Sequence, residues 1–150
     1  MIREITEKDR EIYLELAREF YTSPAVAHAV PDSYLVNTFE VLVRGSEYAR
    51  GYMLESDGEA GGYALLAKTY SQEAGGCVLW VEEVYLRPEF RSKGLGGEFF
   101  SFLRENLTKD VRRIRLEVEP ENERAAALYK RLGYEKLPYA QMVLELPDGE

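Results

Sequence analysis

The spacing of hydrophobic residues changes along the chain, and each change predicts a different element. Ile12, Leu16 and Phe20 recur at helical spacing behind Thr6, which is a suitable cap for the start of that helix. Two prolines then interrupt the pattern, and a weaker helical stretch follows through residues 34–42. The N-terminal part of the chain is therefore predicted to form two helices.

Alternating and β-branched runs predict strands in the remaining chain. An Asp-Gly pair between residues 51–55 and 62–70 is a hairpin signal. The other predicted strands cover residues 2–5, 77–86, 113–119 and 139–146, and helical stripes cover 95–107 and 125–132, where Gly133 suits the helix end. The order β-α-α-β-β-β-α-β-α-β predicts the α/β fold class, with one mixed sheet flanked by helices in a single domain over residues 1–150.

Composition narrows the class of protein. The 150 residues are 45% hydrophobic, which suits one domain with its own core. We see no apolar run near the ~20 residues of a membrane span and no basic-then-apolar leader, so we expect a cytoplasmic protein without membrane contact. Cys77 and His28 are each the single residue of their type. We therefore expect no internal disulfide and no metal site.

Charge is unevenly distributed. The formal net charge of −8 argues against nonspecific nucleic-acid binding, which needs a basic surface, and favours cationic partners. Residues 1–86 carry 7 basic and 15 acidic side chains, whereas residues 87–131 carry 11 basic and 8 acidic ones. A locally basic stretch inside an acidic molecule can accommodate an anion, although ordinary helix-surface charge would give the same balance.

Residues 84–97 combine a strand end, a basic glycine-rich turn and a helix start. The first turn of a helix leaves backbone N–H groups unpaired, and the helix dipole adds partial positive charge there. Glycines let a phosphate approach the backbone, and Arg91 and Lys93 add charge. The turn lacks the Gly-Lys-Ser/Thr of a P-loop and the glycine spacing of a dinucleotide site. Taken alone, it fits either an anion cradle or a tight connection.

Two sequence blocks resemble the Gcn5-related N-acetyltransferase (GNAT) family. Arg91-Ser92-Lys93-Gly94-Leu95-Gly96 is similar to the family's Arg/Gln-x-x-Gly-x-Gly/Ala motif. The second block runs from Leu116-Glu117-Val118 through Asn122-Glu123-Arg124-Ala125 to Leu128-Tyr129-Lys130-Arg131-Leu132-Gly133-Tyr134. The element order also resembles the family fold over nearly the whole chain.

The resemblance implies acetyl-CoA as co-substrate, held where two parallel strands splay apart. The pantetheine arm would pair with the backbone of Val84, Tyr85 and Leu86. The pyrophosphate would lie on the turn formed by Arg91, Ser92, Lys93, Gly94, Leu95, Gly96 and Gly97. Asn122 would bond the arm from the other strand, unless it serves only as a helix cap.

The resemblance also implies direct attack of a neutral amine on the thioester. Tyr129 matches the family's general acid and would contact the cofactor; its alternative is a core tyrosine on an apolar stripe. Glu83, Glu82 and Glu117 are candidate bases, each with a solvated or ion-paired carboxylate as its alternative. Because adjacent strand residues point to opposite faces, Glu82 and Glu83 cannot both face the acceptor unless a bulge intervenes. His28 is a weaker candidate in the proline-flanked segment.

The acceptor is expected to be a small cationic amine. Acidic residues near the expected acceptor side favour this choice: Glu19, Asp32, Glu40, Glu47 and the pair Glu82-Glu83. Aromatic residues of the same region could line a pocket or the core: Tyr13, Phe20, Tyr21, Tyr34 and Phe39. A protein N-terminus or lysine as acceptor, and a non-catalytic acyl-CoA sensor, are the alternatives. A homodimer stays open.

Overall fold

The structure, a computed structural model, describes residues 1–147. The chain divides into two compact units, Met1–Glu117 and Val118–Glu150. The first unit, which is described throughout, contains β1 (Ile2–Glu4), α1 (Arg10–Tyr21), α2 (Asp32–Arg44), β2 (Ala49–Ser56), β3 (Glu59–Ser71), β4 (Gly76–Leu86), α3 (Leu95–Glu105) and β5 (Val111–Leu116). The described part of the second unit contains one helix, α4 (Glu123–Arg131).

The sheet has the order β1-β2-β3-β4-β5. Neighbouring strands are antiparallel except β4 and β5, which run parallel and are connected through α3, as a parallel pair requires. The predicted hairpin joins β2 to β3 through Asp57 and Gly58, whose φ angles of 52° and 78° are both positive, as a tight hairpin turn demands. The predicted mixed α/β fold is confirmed.

The helices of the first unit cover the two faces of this sheet. Met53 belongs to the core cluster that α1 and α2 build, together with Tyr13. Its neighbour Tyr52 points the other way, where its ring meets those of Phe99 and Phe102 on α3 at 6.4 and 5.3 Å. The helices predicted from the 3.6-residue period thus pack on both sides of the sheet predicted from the two-residue period.

β5 ends earlier than the alternation predicts. It stops at Leu116, which pairs with Val81 of β4, so Glu117, Val118 and Glu119 lie beyond the strand. The next residue of β4, Glu82, is a bulge, and the recorded pairing with β5 goes no further. Alternation in the sequence indicates a potential strand, but only a partner backbone sustains one.

The predicted strand at residues 139–146 is wrong: no strand or further helix follows α4 among the described residues. Its apolar residues are consecutive rather than alternating, and Met142, Val143 and Leu144 are 98%, 80% and 84% exposed. These side chains gain no free energy from burial, and the segment forms no ladder of hydrogen bonds with another strand. The predicted end of α4 is confirmed, because Gly133 has a φ of 95°.

Among residues 1–147 no helix combines the length and the apolar character that crossing a membrane requires.

Candidate active site

A β-bulge in β4 sets the orientation of the candidate glutamates. Leu65 of β3 pairs with Glu83, but the next residue, Leu66, pairs with Val81, so Glu82 is an extra residue on β4. In a regular strand, Glu83 would share a face with Val81, two residues before it, and would point away from α1 and α2. The bulge instead turns Glu83 towards the same side as Leu65.

Glu83 lines a pocket of about 180 Å³ between α1, α2 and the sheet, which we call the Glu83 pocket. The residues that line it are Tyr13, Tyr21, Val30, Tyr34, Leu35, Thr38, Leu65 and Glu83. The aromatic residues considered from the sequence therefore divide into two groups. Tyr13, Tyr21 and Tyr34 line the pocket, whereas Phe20 and Phe39 pack in the core.

Two tyrosines hold the Glu83 carboxylate. The Tyr21 hydroxyl donates to Oε2 at 2.8 Å, and the Tyr63 hydroxyl donates to Oε1 at 2.7 Å. Burial and the nearby Glu83 carboxylate both raise the pKa of each tyrosine. Both hydroxyls therefore remain protonated donors at neutral pH. The sequence did not identify Tyr63 as a site residue. Its alternating position on β3 predicts burial but does not reveal the hydrogen-bond partner of its hydroxyl.

Glu82 and Glu117 form a second acidic position. Glu82 is exposed at the bulge. Desolvation, followed by the negative charges of Glu117 and Glu83, raises the pKa of Glu82. Neither Glu82 nor Glu117 lines the Glu83 pocket, so the structure separates Glu83 from the other two candidate bases.

Several of the acids expected near the acceptor have basic partners or lie at another part of the surface. Asp32 pairs with Arg18 at 2.7 Å, and Glu40 lies 3.9 Å from Arg44. Glu47 lines a separate groove of about 690 Å³ at another part of the sheet. For Asp32 and Glu40 the helix-surface alternative is therefore observed, and Glu47 does not line the Glu83 pocket.

Arg87, which the sequence analysis missed, binds another of these acids. Its guanidinium contacts Glu19 at 2.8 Å and Glu15 at 2.6 Å. The Tyr85 hydroxyl also donates to Glu19, at 3.1 Å. This network fastens α1 to the end of β4, immediately before the glycine-rich turn. A lone arginine after a strand gives no sequence signal for such a role.

Residues 91–97, which we call the 91–97 turn, have a backbone suited to an anion. Ser92 and Gly94 have positive φ angles of 61° and 83°. Gly94 caps α3, and the first recorded bond of the helix runs from the Glu98 N–H to the Gly94 carbonyl at 2.9 Å. The preceding N–H groups, those of Leu95, Gly96 and Gly97, consequently have no acceptor within the helix.

The glycines of this turn leave space outside the fold. A Cβ added at Gly96 or Gly97 would meet no atom within 4 Å, and neither residue has a positive φ. Glycine inside a helix costs up to about 1 kcal/mol relative to alanine. Neither packing nor backbone conformation accounts for that cost here.

The basic side chains of the turn have partners within the first unit. Arg91 donates from Nε to the Leu86 carbonyl at 2.8 Å, and its guanidinium lies 5.9 Å from the centre of the Tyr85 ring. The Lys93 ammonium lies 5.5 Å from the Phe90 ring. Arg91 thus fixes the turn to the end of β4 and adds positive charge beside the free N–H groups.

Two further predicted residues, Asn122 and Tyr129, lie in the second unit. The Asn122 side chain accepts a hydrogen bond from the Ala125 N–H at 3.1 Å, so the helix-cap alternative is observed. Burial raises the pKa of Tyr129, whose ring lies 5.9 Å from that of Tyr134. His28 is exposed in the first unit and does not line the Glu83 pocket.

Comparisons with known proteins agree with the geometry. The sequence model described as "Acetyltransferase (GNAT) family" matches residues 10–134. A thialysine N-epsilon-acetyltransferase from Bos taurus is 36% identical over 81 residues, which is 53% of this chain and 47% of the bovine protein. The chain thus covers about half of the length of that relative.

Two solved structures show the same fold. AAC(6')-Iy in complex with a bisubstrate analogue, CoA-S-monomethyl-acetylneamine, superposes with a TM-score of 0.79 at 18% identity, covering 98% of each chain. A ribosomal-protein-alanine N-acetyltransferase from Brucella melitensis biovar Abortus 2308 has a TM-score of 0.75 at 15% identity, covering 97% of this chain and 99% of its own.

Proposed function

The chain belongs to the acetyltransferase (GNAT) family, and on this premise we propose that it transfers an acetyl group from acetyl-CoA to the nitrogen of a small cationic amine. The observation that carries the proposal lies on one strand of the first unit. β4 presents Glu83 in a tyrosine-lined pocket, and the chain then enters the 91–97 turn with its free N–H groups.

The residues of the turn fit the pyrophosphate of CoA. Three consecutive N–H groups at the start of α3, those of Leu95, Gly96 and Gly97, have no acceptor within the helix, and a Cβ at either glycine would meet open space. Lys93 adds a positive charge, and Arg91 holds the turn in place. Beyond Val81 the pairing of β4 with β5 ends, and we propose that the pantetheine arm pairs there with Val84, Tyr85 and Leu86, although the Leu86 carbonyl already accepts from Arg91. When bound, acetyl-CoA supplies the thioester that donates the acetyl group.

Glu83 is the proposed base. An alkylammonium with a pKa near ~10.4 must lose its proton before the nitrogen can attack. A carboxylate in reach of the amine, directly or through one water, can take that proton. The hydrogen bonds from Tyr21 and Tyr63 fix the Glu83 carboxylate and leave further lone pairs on each oxygen for the acceptor.

Tyr129 is the proposed acid for the departing thiolate. Burial keeps its hydroxyl protonated at neutral pH, as a donor requires. The sequence block around Tyr129 supports this role. The ammonium loses two protons as the nitrogen–carbon bond forms and the sulfur–carbon bond breaks. Glu83 takes one of them, and the other replaces the proton that Tyr129 gives to the departing sulfur. Asn122 is proposed to bond the pantetheine arm in addition to capping α4.

The proposal is tested by acetyl-CoA-dependent thiol release with a panel of primary alkylamines, polyamines, aminoglycosides and short peptides. Cys77 is the single cysteine of the chain, so the protein contributes little background. We expect turnover with a small amine and none with the Gly96→Glu variant. Turnover with peptides alone would show that the acceptor is a protein and not a small amine. Binding of acetyl-CoA without any turnover would favour a sensor, and absence of binding would contradict the proposal.

A further inference from the structure

The Glu83 pocket also restricts which amines can act as acceptors. We infer that it selects a primary amine with a single positive charge on a short apolar stem and discriminates against compact polyamines. This inference rests on the proposed function and narrows its acceptor.

The pocket holds one negative charge. Glu83 is the only carboxylate among the described residues that line it. Of the other nearby carboxylates, Glu19 is bound to Arg87 and Asp32 to Arg18, while Glu82 and Glu117 do not line the pocket. An acceptor with two ammonium groups inside the pocket would therefore bury one of them without a counter-charge, which is costly.

The remaining wall suits a hydrocarbon stem. Val30, Leu35 and Leu65 contribute aliphatic surface, and Tyr13, Tyr21 and Tyr34 contribute aromatic rings. The Thr38 hydroxyl already donates to the Tyr34 carbonyl at 2.7 Å. Methylene groups gain free energy by leaving water for such a surface.

The Tyr13 hydroxyl is a further polar group at the pocket wall. Tyr13 is 1% exposed, and no hydrogen bond of its hydroxyl is found within residues 1–147. Tyr13 also lines the pocket, so we assign its oxygen as a further partner for an ammonium there. It can accept one N–H of the ammonium while Glu83 accepts another.

The size of the pocket sets the length of the stem. Its volume of about 180 Å³ lies below the roughly 300–1,000 Å³ of pockets that hold drug-sized ligands. An aminoglycoside ring system does not fit within it. A short unbranched alkylamine fills it with its stem against the aliphatic wall and its nitrogen beside Glu83.

The test compares two acceptors of equal size. n-Butylamine and 1,3-diaminopropane have the same number of non-hydrogen atoms. The first ends in a methyl group where the second has another amine. We expect kcat/KM, measured by acetyl-CoA-dependent thiol release, to be at least about 10-fold higher for n-butylamine. Because the diamine offers two equivalent nitrogens, statistics alone would favour the opposite order. Equal or faster reaction of the diamine would overturn the inference while leaving the acetyltransferase proposal intact.

A pair of variants examines the cause of the selectivity. Val30 is half-buried at the pocket wall, and Val30→Glu adds a second carboxylate there, whereas Val30→Gln adds the same shape without charge. We expect the Glu variant, relative to the Gln variant, to shift the kcat/KM ratio towards the diamine by at least about fivefold. An unchanged ratio would overturn the inference.

The outcomes separate this inference from the proposed function. If calorimetry shows acetyl-CoA binding but neither amine reacts, the inference fails and the cofactor side of the proposed function stands. If acetyl-CoA does not bind, the proposed function itself fails.

Discussion

The 91–97 turn offers backbone N–H groups from consecutive residues, whereas the Glu83 pocket is assembled from side chains on two helices, a loop and two strands. The turn is therefore local and depends on three properties: a positive φ, an absent Cβ and a helix start. The pocket depends on the bulge at Glu82 and on packing between distant segments. A single substitution should consequently disable cofactor binding at the turn, while substitutions in the pocket should affect the acceptor and the proton.

The largest expected effect is at the turn. Gly96→Glu places a bulky negative group where the pyrophosphate is proposed to lie, and we expect acetyl-CoA affinity to fall at least about 100-fold by calorimetry. The fold should tolerate the change, because the position is open and an acidic residue suits a helix N-terminus. Gly96→Ala is the matched control and should bind within a few-fold of wild type. Equal affinity of the Glu variant would remove the turn from the cofactor site.

The next effect concerns the proposed acid in the second unit. Tyr129→Phe removes the hydroxyl and keeps the ring, so we expect kcat to fall about 10- to 100-fold with acetyl-CoA affinity near wild type. Steady-state thiol release and calorimetry on the same preparation separate the two quantities. A loss of affinity with normal turnover at saturation would assign Tyr129 to binding.

A smaller effect tests whether the glycines of the turn serve the ligand or the fold. Gly97→Ala lies in the first turn of α3 with open space around its Cβ, so we expect the free energy of unfolding to rise by up to about 1 kcal/mol. Urea denaturation measures this change. Destabilisation by the alanine would show that the fold itself requires glycine at this position.

The smallest effect lies at the bulge between the two regions. Because the pKa of Glu82 is raised in the folded protein, its ionisation opposes folding, and wild-type stability declines as pH rises through that pKa. Glu82→Gln removes this unfavourable ionisation. We expect a slightly higher Tm than wild type near pH 7, with the difference disappearing below the ordinary glutamate pKa of about 4.3. A variant that loses stability at pH 7 would contradict the direction of the shift.

The difference between the local turn and the assembled pocket also explains what the sequence could predict. The turn was recognisable because its determinants are neighbours in the chain, and its positive φ angles were found at Ser92 and Gly94. The strands and helices up to Leu116 followed from their periodicity. Residues 139–146 failed as a strand because an apolar run alone does not provide a hydrogen-bonding partner.

The pocket was only partly predictable. Glu83 was one of three equal candidates, since residue order cannot reveal that an extra residue at Glu82 reverses the alternation. Tyr63 lies 20 residues from Glu83 and Tyr21 lies 62 residues away, so their hydrogen bonds to the carboxylate exist only in the folded chain. The neutralisation of Glu19 by Arg87 is equally a property of packing, across 68 residues.

The most direct test of the account compares kcat of Glu83→Gln with that of Glu82→Gln under saturating acetyl-CoA and n-butylamine. If Glu83 takes the proton from the acceptor, its variant should lose about 100-fold or more in kcat with acetyl-CoA affinity unchanged, whereas Glu82→Gln should stay within about threefold of wild type. A Glu83 variant as active as wild type, or a larger loss at Glu82, would contradict the assignment of the base.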